Sequence, residues 1–161
     1  HFMSKMNELI DNNLANPDLD VSYLMKKMTM SRASLYNKVK ALTGMGVNDY
    51  INKIRIEKAS LMLIQTDLTI SEISYEVGFT YQRYFSTIFK EETGETFTEV
   101  LIRTRMEKAK ELLENTDYGI SDIAHLTGFS SQSYLSQSFR KSCGMTAGTY
   151  RKLKKKRKDP I

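Results

Sequence analysis

Fifty residues separate the marks of this chain from their next occurrence. Arg55-Ile56-Glu57-Lys58-Ala59 returns as Arg105-Met106-Glu107-Lys108-Ala109, and Thr66-Asp67 returns as Thr116-Asp117. Gly78-Phe79 returns as Gly128-Phe129, and Gln82, Tyr84, Phe89 and Gly94 return as Gln132, Tyr134, Phe139 and Gly144. A weaker first copy ends in Thr43-Gly44, fifty residues ahead of Thr93-Gly94. Such a period means one supersecondary unit used several times, each unit burying its apolar face against its neighbours.

The apolar spacing inside each copy is helical. Met6, Leu9, Ile10 and Leu14 fall on one face of a helix over 4–14, before a turn at Pro17. Asp20 is placed to cap a helix over 21–28, and Ser31 to cap one over 32–42 whose inward face is Leu35, Val39 and Leu42. Gly44 stops it, and a long joining helix over 48–64 carries Tyr50, Ile51, Ile54, Ala59, Leu61 and Leu63.

The second copy opens on Thr69-Ile70-Ser71-Glu72, a capping-box pattern. Ile70, Ile73 and Val77 form its buried face, Gly78 supplies the turn, Phe79 plugs the core and Thr80 caps. A helix over 81–92 turns Phe85 and Phe89 inward and Gly94 ends it. A joining helix over 97–114 leads to the third copy: Ile120, Ile123, the turn at Gly128, Phe129, a cap at Ser130 and a helix over 131–142 with Leu135 and Phe139 inward. A last helix over 147–155 frays into the basic end. The expectation is an all-α chain of about ten helices. They form tandem helix-turn-helix units of the homeodomain-like three-helix type, joined by long helices. The divisions fall at 4–47, 48–96 and 97–150, with a basic tail over 151–161. His1-Phe2 ahead of Met3 reads as a cloning remnant.

Helix, tight turn, helix is the geometry of a DNA reader whose second helix enters the major groove. Its groove-facing positions are those left after the inward apolar residues are removed. In the first unit these are Arg32, Ala33, Tyr36, Asn37 and Lys40. In the second they are Tyr81, Gln82, Arg83, Ser86, Thr87 and Lys90. In the third they are Ser131, Gln132, Ser133, Ser136, Gln137 and Arg140. Arg83 suits guanine, Asn37, Gln132 and Gln137 suit adenine, and Tyr36 suits a thymine methyl or a phosphate. Each such face could also be a plain solvated helix surface. Three of them behind three caps and turns favour the reader.

Charge alone is weak support. The stretch from Arg151 to Lys158 holds seven positive charges, and removing those seven from the net +5 leaves −2. DNA binding would need charge arranged on one face. The tail could grip phosphates without sequence preference, or be a solvated disordered end.

A single cysteine, Cys143, forbids an internal disulfide and fits a reducing compartment, the cytoplasm. Two histidines and one cysteine leave no metal constellation. No paired acids, nucleophile arrangement or phosphate loop offers an active site, and no cofactor is implied. No membrane span or signal peptide is visible.

Met30-Ser31-Arg32-Ala33-Ser34-Leu35-Tyr36, the joining helix Ile54 to Ala59, and Ile73 to Phe79 with Tyr84-Phe85 and Phe89-Lys90 resemble the DNA-binding domain of the AraC family of bacterial transcription regulators. Parts of the chain resemble the output domains of two-component regulators of the YesN kind. The resemblance implies sequence-specific binding of double-stranded DNA, RNA polymerase as a partner, and activation as the commoner outcome. It also implies base reading by Ala33, Tyr36 and Asn37, by Arg83 and Thr87, and by Ser133 and Gln137.

The count departs from the family, which has two units where this chain has three. After Gly94 the sequence leads into Arg105 to Ala109, which resembles the segment after a first reader. Natural duplication and an engineered splice near 85–94 both account for that. An alternative for one unit, the third before the others, is protein interaction or self-association in place of DNA reading.

Overall fold

The structure is a computed structural model that describes residues 1–158. Among the described residues it has ten α-helices and no strand. They are α1 (Phe2–Asp11), α2 (Val21–Met28), α3 (Arg32–Thr43), α4 (Val47–Gln65) and α5 (Ile70–Glu76), then α6 (Gln82–Thr93), α7 (Phe97–Asn115), α8 (Ile120–Leu126), α9 (Gln132–Cys143) and α10 (Ala147–Lys158). The fifty-residue offset holds at every helix boundary from α3 onward. α3, α6 and α9 keep one register, α4 and α7 another, and α10 matches the first twelve residues of α4 and α7. The chain divides into two compact units, His1–Phe97 and Thr98–Ile161.

In the first unit the caps set the helix starts. The Asp20 carboxylate accepts from the Tyr23 amide at 2.8 Å, and the Ser31 hydroxyl from the Ser34 amide at 3.2 Å. Thr69 and Glu72 form a reciprocal capping box, in which Glu72 accepts from the Thr69 amide at 2.7 Å. Each such cap is worth about 1 kcal/mol. α3 and α6 stop at Gly44 and Gly94, both left-handed, a conformation that costs glycine little.

Leu24, Leu35 and Val39 of the first helix-turn-helix are buried against α4, which buries Ile51, Ile56, Ala59 and Leu63. On the other side of α4 lie Ile73, Val77, Phe79, Phe85 and Phe89, also buried. Phe97, the first residue of α7, closes this cluster with ring centroids 5.7 Å from Phe85 and 5.2 Å from Phe89. Edge-to-face pairs of this kind add about 0.5–1.5 kcal/mol each beyond area burial. α1 adds Met6 and Ile10, and its Asn7 accepts a hydrogen bond from the Tyr50 hydroxyl.

The second unit repeats the scheme with one helix-turn-helix. Met106, Ala109 and Leu113 of α7, Ile123 and Ala124 of α8, Phe129 of the turn, Leu135 and Phe139 of α9, and Ala147 of α10 form its core.

Several local expectations shift. The first helix runs Phe2–Asp11, leaving Leu14 buried in the turn after it. The cap of α6 falls at Tyr81, which offers no side-chain bond, and not at Thr80. The cap of α9 is Ser131, which accepts from the Tyr134 amide, and not Ser130. Helix geometry explains the second, since the Ser131 hydroxyl sits three residues before the amide that it accepts from. Leu42 and Leu61 point outward, 62% and 49% exposed, while Val39 and Leu63 of the same helices are buried.

The end of the chain differs most. The basic stretch is helical to Lys158 and docked on α7. The Tyr150 hydroxyl donates to Glu114, Lys154 and Lys155 pair with Glu114 and Asp117, and Arg151 donates to the Leu113 and Tyr118 carbonyls. The last three residues, including Pro160, lie outside those described.

Candidate nucleic-acid interface

Three second helices carry the candidate residues. α3 buries Leu35 and Val39, and this turns Arg32, Ala33, Tyr36, Asn37 and Lys40 outward, all of them exposed. α6 buries Phe85 and Phe89, which leaves Gln82, Arg83, Thr87 and Lys90 exposed and Ser86 half-buried. α9 buries Leu135 and Phe139, which leaves Gln132, Ser133, Ser136, Gln137 and Arg140 exposed. Tyr81 and Ser131 are the N-cap residues of α6 and α9, not members of the helical face.

The tight turns orient these helices. Gly78 and Gly128 have φ of +90° and +78°. A side chain at Gly78 would drive its Cβ into the Leu14 carbonyl oxygen, so the loop after α1 closes onto the second turn. Phe79 meets Tyr84 edge to face at 5.8 Å, and Phe129 meets Tyr134 at 5.7 Å. Each turn aromatic therefore braces the first turn of its second helix.

Each outward face borders a shallow groove whose second wall is the start of the next joining helix. Beside α3 the wall is Gly46 to Asp49, beside α6 it includes Thr96, and beside α9 it is Thr146 to Gly148. These second walls recur at the same fifty-residue offset. The repeat carried that signal, but residue type did not mark Asn48, Thr96, Thr146 or Gly148 as partners of the outward faces.

The charge of the three faces differs. Arg32 and Lys40 stand on the first and Arg83 and Lys90 on the second, where Glu91 lines the same groove; Arg140 is the cation of the third. Lys40, Lys90 and Arg140 lie in the last turn of their helices, where a cation also opposes the negative end of the helix dipole. Stability alone would therefore favour a cation there. It gives no reason for the polar residues earlier on each face.

Among the described residues no helix is long and apolar enough to cross a membrane. The helix-turn-helix domain family matches this chain twice, over residues 24–99 and 80–153. The two matches share α6. The chain is 36% identical over 94 residues to histidine kinase P4 of Formosa agariphila, covering 58% of this chain and 7% of the kinase. It is 37% identical over 100 residues to the uncharacterized transcriptional regulatory protein YesN of Bacillus subtilis, covering 60% of this chain and 27% of YesN. The chain thus spans well under half the length of these relatives. The DNA-binding domain of the global transcriptional factor AdpA, solved with a target DNA, superposes with a TM-score of 0.58 at 26% identity. That covers 64% of this chain and 94% of AdpA's. By the double match, which takes in most of its length, the chain belongs to the AraC-type helix-turn-helix family of transcription regulators.

Proposed function

We propose that this chain is the DNA-reading output segment of a bacterial transcription regulator, with α3, α6 and α9 each presented to the major groove of double-stranded DNA. The observation that carries the reading is the common register of the three outward faces. Positions 32, 33, 36, 37 and 40 recur as 82, 83, 86, 87 and 90 and as 132, 133, 136, 137 and 140, and fourteen of these fifteen side chains are exposed. A buried apolar pair fixes each face, so the outward residues are free to follow DNA sequence and not packing. Arg83, Asn37 and Gln137 are the base readers of this account, by donor and acceptor patterns that match guanine and adenine. Lys40, Lys90 and Arg140 contact phosphates.

The similarity to a histidine kinase supports an output role in a two-component system, with the signal received elsewhere in a longer protein. Recruitment of RNA polymerase to the adjoining promoter belongs to the same reading.

The test is base preference on selected duplexes. Arg83→Ala and Asn37→Ala should each weaken binding to the preferred duplex by about 1–3 kcal/mol and relax preference at one block only. Unchanged preference in both variants would remove the assignment. A second reading applies to α9, whose outward face has a single cation where α3 and α6 have two each. In that reading the third unit binds protein, and its substitutions leave DNA preference intact.

A further inference from the structure

The C-terminal helix divides its charge between two sides. One side is satisfied within the unit. Lys154 and Lys155 pair with Glu114 and Asp117, while Arg151 and Lys158 donate to backbone carbonyls at and just beyond the end of α7. These contacts cap the negative end of the α7 dipole. They also explain why a run of like charges, which repels itself along an isolated helix, stays helical to Lys158. The other side carries Lys152, Lys156 and Arg157, which are exposed and take part in none of these contacts.

Comparison with α4 and α7 sharpens the division. α10 begins in their register, but Lys156 stands where α4 has Ile56 and α7 has Met106, both buried. The apolar position that would seat a further helix-turn-helix is a lysine here. α10 therefore carries a basic outer face at a position where α4 and α7 bury an apolar side chain.

We propose that α10 is a docked arm that grips the DNA phosphate backbone flanking the site of the third reader, through Lys152, Lys156 and Arg157 and without reading sequence. This rests on the DNA-binding function proposed above. Position supports it as well as charge. Thr146 to Gly148, at the start of α10, form a wall of the α9 groove. From Ala147 the three cations lie about 8–15 Å further along the helix axis, by the rise of an α-helix. From Lys152 to Arg157 they span about 7.5 Å, against a phosphate every ~3.4 Å of axis on one strand. Two or three phosphates next to the groove are thus within their reach.

The experiment compares the full chain with the triple variant Lys152→Gln, Lys156→Gln, Arg157→Gln, which leaves the cations facing α7 in place. Affinity for a selected duplex is measured across salt concentrations, with helicity checked by circular dichroism. Each lost phosphate contact lowers the slope of log affinity against log salt by about 0.9, so the slope should fall by up to roughly 3 while the selected sequence stays the same. Trimming the duplex beyond one end of its site should weaken the wild type and leave the variant unaffected. An unchanged slope in a folded variant would overturn the arm, as would a changed selected sequence. If no sequence is selected, the function proposed above fails, and the slope difference on random duplex still decides the arm.

Discussion

The Arg55 guanidinium lies over the Phe79 ring, 5.6 Å from its centroid, and donates at 3.0 Å to the Asn16 carbonyl. One side chain of the joining helix thus ties the loop after α1 to the turn of the second helix-turn-helix. It is 7% exposed, and burial lowers its pKa from the ordinary value. Its Nε has no hydrogen-bond partner. Arg55→Lys should destabilise the chain by about 1–2 kcal/mol, because an ammonium cannot stack on the ring and reach the carbonyl together. Arg105, at the same place in the repeat, is half-buried, and Arg105→Lys should cost less than half as much. Denaturant midpoints of the two variants check this; equal losses would contradict it.

The two turn glycines should respond unequally to alanine. At Gly78 the new Cβ would clash with the Leu14 carbonyl, in a backbone conformation of φ +90°. At Gly128 it would meet only the flexible Arg105 guanidinium, at 3.1 Å. Gly128→Ala should therefore cost about 1–2 kcal/mol, the ordinary left-handed penalty. Gly78→Ala should exceed about 3 kcal/mol, because backbone must move as well. Thermal unfolding of both variants is the measurement, and similar shifts would contradict the closure of the α1 loop on the second turn.

The first turn lacks this glycine. Thr29 holds φ +54° as the C-cap of α2, the one non-glycine residue with positive φ among those described. A β-branched side chain is strained there. Thr29→Gly should stabilise by about 0.5–1 kcal/mol, less than the full left-handed penalty because glycine also loosens the unfolded chain. A loss of stability would show that the Thr29 side chain makes a compensating contact.

The docking of α10 should depend on pH at both ends of the scale. Burial first, and then its bond to Glu114, push the Tyr150 hydroxyl up to about 12. Its contribution is present below the ordinary tyrosine value of about 10 and is lost as pH rises through 12. Tyr150, foremost among its partners, holds the Glu114 carboxyl below its ordinary value, and Lys155 does the same for Asp117. Their contribution is present above the ordinary carboxylate range of about 4 and is lost as pH falls through their lowered values. In an absorbance titration Tyr150→Phe should remove a tyrosine ionisation step near pH 12. The protection of α10 amides, relative to their intrinsic exchange rate at each pH, should fall in acid. An absorbance change near pH 12 that Tyr150→Phe leaves intact would contradict the Tyr150–Glu114 bond.

The repeat made much of this fold legible. Leu35, Phe85 and Leu135 occupy one buried position, and Val39, Phe89 and Phe139 another, so each copy checked the assignments of the others. Asp20, Ser31 and Thr69 were readable as caps because each has a helix of clear apolar period behind it. Thr80-Tyr81 and Ser130-Ser131 offered neighbouring starts, and composition could not choose between them. Contacts distant in sequence were not legible at all. Arg55 reaches Asn16 across 39 positions, and Tyr150 reaches Glu114 across 36. A basic run read alone therefore looked like a loose tail, although its acidic partners lie at and just beyond the end of the preceding joining helix. The outward residues of α3, α6 and α9 were found by elimination. That places them on a face but leaves their grooves' second walls unseen.

The most direct test of the account is selection of bound sequences from random duplex DNA by the full chain, repeated at two salt concentrations. Three enriched blocks about ten base pairs apart, kept at the higher salt, are expected if α3, α6 and α9 all read bases. Two blocks would mean that one unit serves another purpose, and loss of a block in Arg83→Ala or Asn37→Ala would show which units read. Binding that vanishes at moderate salt with no enriched sequence would contradict the central claim, leaving only phosphate contacts.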